Sequence, residues 1–67
     1  MRTHSYRITI AGALRDIDCR EFGEFRIEVT DANAVLTGDL DQAALQGTLS
    51  RVFWLGLDLV EVRRLPL

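Results

Sequence analysis

At 67 residues, with 48% apolar and 27% charged side chains, the chain has room for one hydrophobic core and excludes a second. A formal net charge of −2, carried by ten acidic side chains against eight arginines, argues against a surface built to neutralise phosphates, so DNA and RNA are not expected partners. The single cysteine, Cys19, rules out an internal disulfide or a multi-cysteine metal cage, which leaves self-association as the way so short a chain supplements its core.

Residues 1–15 contain three arginines and a short apolar stretch, 8–14, that is too brief and too interrupted by Thr9 for a signal peptide. No segment reaches the roughly 20 apolar residues of a membrane span, and a lone thiol fits the cytoplasm. From 5 to 11 the chain alternates, Tyr6, Ile8 and Ile10 against Arg7 and Thr9, the period of a half-buried strand. Gly12 breaks that run, and 14–22 carries Leu14, Ile17 and Phe22 among charges, a weak helical pattern that Gly23 terminates. Phe25, Ile27 and Val29 alternate with Arg26, Glu28 and Thr30 in a second strand. Asp31-Ala32-Asn33 supplies turn chemistry, and a third strand follows at 34–38.

Asp39 is the expected N-cap, with Gln42 at capping-box spacing, and Asp41 adds negative charge where the helix dipole favours it. A helix is therefore expected to run to about Leu55 on a stripe of Ala44, Leu45, Thr48, Leu49, Val52 and Leu55, with Gly56 at its left-handed end. A last strand, 57–65, stops before Pro66, which cannot continue a ladder. The order is β-α-β-β-α-β, which predicts an α+β, ferredoxin-like βαββαβ sandwich: one domain over 1–67, a four-stranded antiparallel sheet and both helices on one face. If 14–22 is a loop, the same sheet has one covering helix.

The stretch Val35-Leu-Thr-Gly-Asp-Leu-Asp-Gln-Ala-Ala-Leu-Gln-Gly-Thr-Leu-Ser-Arg-Val, with Leu55-Gly-Leu-Asp-Leu-Val-Glu-Val-Arg-Arg-Leu and Tyr6-Arg-Ile-Thr-Ile, resembles a group of small actinobacterial proteins of unknown function. More loosely, the chain is similar to ACT-like ligand-sensing modules. That resemblance implies the same topology, dimers, and a small ligand near the loop after the first strand, here Ala11, Gly12 and Ala13. The similar actinobacterial sequences have polar residues just before the Leu-Gly-Leu turn, where this chain has Phe53 and Trp54.

At 3.6 residues per turn Trp54 lies about 180° from Leu45, opposite the core stripe, so it is expected to face away from its own sheet. Large outward aromatics are enriched at interface centres, which makes Phe53 and Trp54 candidate contact residues. The plainer reading is that Phe53 borders the core and Trp54 folds over the last helical turn. The last strand places Leu57, Leu59 and Leu65 on one side and Val60 and Val62 on the other, so neither face is cleanly polar. A second subunit would cover the helix-free face, with Leu59 in the contact; a twisted sheet edge is the alternative.

Catalytic readings lack their parts. Cys19 has no base beside it in sequence, because the only histidine, His4, lies in the lead-in. His4 with Cys19 or Asp18 has no recognised metal-ligand spacing. Asp16, Asp18, Glu21 and Glu24 interleave with Arg15, Arg20 and Arg26 as a solvated mixed-charge face does. No phosphate-cradling glycine loop, paired cysteines or exposed aromatics on the central strands appear. No catalytic residue, cofactor or metal is assigned, and three functions remain: a homodimeric interaction module, an ACT-like small-molecule sensor with its ligand near the dimer seam, and, least supported, a small cofactor-free enzyme.

Overall fold

The elements of the computed structural model, which describes residues 2–12, 14 and 16–66, are β1 (His4–Ala11), α1 (Asp16–Glu21), β2 (Arg26–Val29), β3 (Asn33–Leu40), α2 (Gln42–Trp54) and β4 (Asp58–Arg64). The strands form one antiparallel sheet in the order β2-β3-β1-β4. That order, with a helix after β1 and another after β3, is compatible with the ferredoxin-like arrangement expected from the sequence.

The alternation in β1 selects the core. Tyr6, Ile8 and Ile10 are buried, and across the ladder they meet Gly38, Leu36 and Ala34 of β3. Phe22 after α1 and Leu45 and Val52 of α2 close over the same cluster, so both helices lie on this face. Phe25 packs its ring against the bare Cα of Gly38, where an added Cβ would stand 2.9 Å from the Phe25 Cδ1. The absence of a side chain at 38 is therefore a packing requirement, since overfilling a tight core forces strain.

The ends of α2 are set by local chemistry. The Asp41 carboxylate accepts a hydrogen bond from the Ala44 N–H at 2.7 Å, and the Asp41 carbonyl accepts from Leu45 N–H at 2.9 Å. The N-cap is thus Asp41, and Asp39, which has the capping-box spacing, does not cap. β3 continues through Leu40 because that side chain is buried and His4 pairs with it, which leaves Asp39 in the ladder with the Ser5 hydroxyl donating to its carboxylate. At the other end Gly56 has φ +71°, its N–H donates to the Phe53 carbonyl, and Leu57 N–H donates to the Val52 carbonyl. These two bonds close the helix in a Schellman arrangement. Leu45, Thr48 and Val52 are buried as the stripe requires and Leu49 is half-buried, whereas Ala44 is exposed beside the cap.

β4 departs from the sequence reading. Its register against β1 shifts between Thr9 and Ile10, so that Leu59 opposes Ile10 and Val62 opposes Ile8. A bulge adds one residue and reverses the parity of everything beyond it. Leu59 and Val62 therefore lie on the helix side, and Glu61 and Arg63 on the other. The mixed pattern came from an edge strand with a bulge. The helix-free face carries Ser5, Arg7, Thr9, Arg26, Glu28, Thr37, Glu61 and Arg63 together with Ala11 and the half-buried Val35 and Leu65, so it is mainly polar with a few apolar side chains among the charges.

Candidate functional site

Apart from Val29 on β2, the exposed large apolar residues gather at the end of α2 and along β4. Phe53 is 78% and Trp54 83% exposed, their rings meet edge to face with centroids 6.3 Å apart, and the Schellman turn carries the chain from them directly into β4. Phe53 does not border the core, and Trp54 is not folded down over the last turn. Every residue of β4 is exposed, including Leu59, Val60 and Val62. β4 is an outer strand, so its far side offers unpaired backbone groups. Two aromatic side chains held this far out expose on the order of 300–400 Å² of mostly apolar surface, the scale at which a patch on a small monomer has a role.

The aromatics are held in place from behind. Arg51, one turn before Trp54, lies over the Phe22 ring with its guanidinium carbon 5.3 Å from the centroid. It donates one hydrogen bond to the Glu21 carbonyl at the end of α1 and another, within an ion pair, to the Glu24 carboxylate. The Arg51 hydrogen bond holds the Glu24 carboxyl below its ordinary value of 4.5. Arg51 thus fixes the last turn of α2 to α1, and with it the direction in which Phe53 and Trp54 project.

The other sequence candidates are dispersed. Ala11 and Gly12 are exposed; Gly12 has φ +86° and donates its N–H to the Ala32 carbonyl at 2.7 Å, and Ala13 lies outside the described residues. Among the described residues no pocket forms and no group of three His, Cys, Asp or Glu side chains gathers as a metal site would need. His4 stacks edge to face on Tyr6 at 6.5 Å in β1, while the half-buried Cys19 lies in α1. The acidic cluster is not one solvated face: Asp18 is buried, and Glu24 is committed to Arg51. Arg15 and the Asp16 side chain lie outside the described residues. No helix is long and apolar enough to cross a membrane among the described residues.

The model of a family described as a domain of unknown function, DUF8691, matches residues 5–63, from the first pairs of β1 to near the end of β4, and the chain belongs to that family. No curated protein and no solved structure matches it.

Proposed function

We propose that this member of the DUF8691 family is a small, non-catalytic, cytoplasmic interaction module that works as a homodimer, with Phe53, Trp54 and Leu59 in its protein contacts. The observation that carries this reading is the Phe53–Trp54 pair, two nearly bare aromatics in mutual contact at the head of a wholly exposed strand that carries Leu59, Val60 and Val62 among charges. Rigid aromatics have few rotatable bonds to immobilise and much area to bury, which is why interface hot spots favour them. The size of the chain adds to the argument, because a single small core benefits from a second copy.

The ACT-like alternative, a small ligand near Ala11 and Gly12 at a dimer seam, has weaker support. The positive φ of Gly12 and its bond to Ala32 already account for a glycine there as turn geometry.

Light scattering after size exclusion tests the reading on wild type and on a Phe53→Ala/Trp54→Ala double variant. The wild type should elute with the mass of two chains. The variant should retain its fold, since neither ring belongs to the core, and should lose binding of whichever protein the patch engages. A wild type that stays monomeric from low micromolar concentration upward would refute the homodimeric module.

A further inference from the structure

We propose that the second copy docks along the free edge of β4, pairing antiparallel with the partner's β4 so that Val62 lies opposite the partner's Val62 and the two sheets join as one of eight strands. The inference rests on the reading of this chain as a self-associating module and names the surface that does it.

Hydrogen-bond phase comes first. Leu65 N–H donates to the Ser5 carbonyl at 2.8 Å, which extends the Tyr6↔Arg64 register by one step and makes Ser5–Leu65 a hydrogen-bonded pair. Such pairs alternate along an antiparallel ladder. Arg63 therefore turns its backbone groups toward β1, whereas those of Val62 and Arg64 point outward to the free edge. A strand arriving from outside meets the N–H and C=O of Val62 without displacing any internal bond.

Charge then selects the register. A two-fold centred on Glu61 sets Glu61 against the partner's Glu61, and one centred on Arg63 sets two arginines face to face. Centring on Val62 places Glu61 opposite the partner's Arg63 and Arg63 opposite the partner's Glu61, so the favourable contact occurs twice, as a two-fold interface requires. Within one chain Arg63 already sits across from Arg7, a like-charge opposition. Among the described residues no carboxylate forms an ion pair with either arginine. The partner's Glu61 supplies Arg63 with the opposite charge on its other flank. On the helix side the same register brings Val62 to Val62 at the axis, next to the exposed Val60 and Leu59.

Two substitutions isolate this contact. Val62→Pro deletes an N–H that faces the free edge and makes no bond to β1, so the monomer should keep its far-UV circular dichroism while light scattering reports a single chain. Arg63→Glu relieves the opposition to Arg7, so it should not harm the monomer, yet it puts two glutamates together twice across the seam and should raise the dimer dissociation constant about tenfold or more. The swap Glu61→Arg/Arg63→Glu restores opposite charges at both positions and should recover the dimer. A wild-type dimer that ignores Val62→Pro and Arg63→Glu overturns the β4 seam while leaving the homodimeric reading in place. A wild-type monomer overturns both.

Discussion

Arg51 shows how much one side chain decides in a chain this short. Its guanidinium covers the Phe22 ring, bonds the Glu21 carbonyl and pairs with Glu24, so it joins α2 to α1 by stacking, hydrogen bonding and charge together. Arg51→Ala should cost about 1–3 kcal/mol in urea denaturation, and Arg51→Lys should recover only a part, because an ammonium has no planar fork to serve both acceptors. The pH dependence follows from Glu24. Its carboxyl titrates below its ordinary value, so the stabilisation is complete above that value and is lost as pH falls through the lowered one. The Glu24 side chain is 51% exposed, so the charge contribution is screened and worth less than about 1 kcal/mol. Between pH 7 and 3 the gap between wild type and Arg51→Ala should therefore narrow without closing, since the carbonyl bond and the stacking do not titrate. An unchanged gap would remove Glu24 from the account. None of this was legible in the sequence, where Arg51 and Glu24 stand 27 residues apart and Asp18 reads as one more surface charge although it is buried. Trp54, by contrast, was legible, because its direction follows from helical geometry alone.

Within elements, the helix α2 separates what caps from what merely has cap spacing. Asp41→Ala removes the acceptor for Ala44 N–H and should destabilise by about 0.5–2 kcal/mol, whereas Asp39→Ala should leave the helix terminus intact. Gly47 offers the converse case: a Cβ there meets nothing within 4 Å and the residue is exposed in a helix interior, so Gly47→Ala should stabilise by about 0.5–1 kcal/mol. Urea melts of the three variants test the assignment, and an Asp39→Ala loss matching that of Asp41→Ala would return the cap to Asp39. The sequence placed the helix and its Gly56 end closely, because periodicity and left-handed glycine are local properties. It misplaced the start because burial of Leu40 and its pairing with His4 are tertiary facts that extend β3. The bulge in β4 escaped for the same reason: parity against β1 is a relation between strands, and nothing in Leu59-Val60-Glu61 announces which residue is the extra one.

For the whole molecule, surface area bears on whether one chain is the working unit. The chain exposes 4787 Å², above the roughly 4,300 Å² expected of a globular monomer of its mass, 7.6 kDa. The excess fits a thin sandwich whose outer strand β4 is exposed along its whole length and whose helix end carries two uncovered rings. If two chains fold and associate as one unit, unfolding releases two molecules from one, and mass action makes the melting temperature depend on concentration. With an unfolding enthalpy near 0.7 kcal/mol per residue over two chains, each tenfold rise in concentration should lift Tm by about 5 °C. The circular dichroism melt of wild type across the micromolar range should show that slope, while Val62→Pro melts at one temperature throughout. A flat wild-type series would mean that the core of one chain stands alone and that the exposed edge serves a different protein. A sloped series shared by Val62→Pro would keep the dimer and move its seam away from β4.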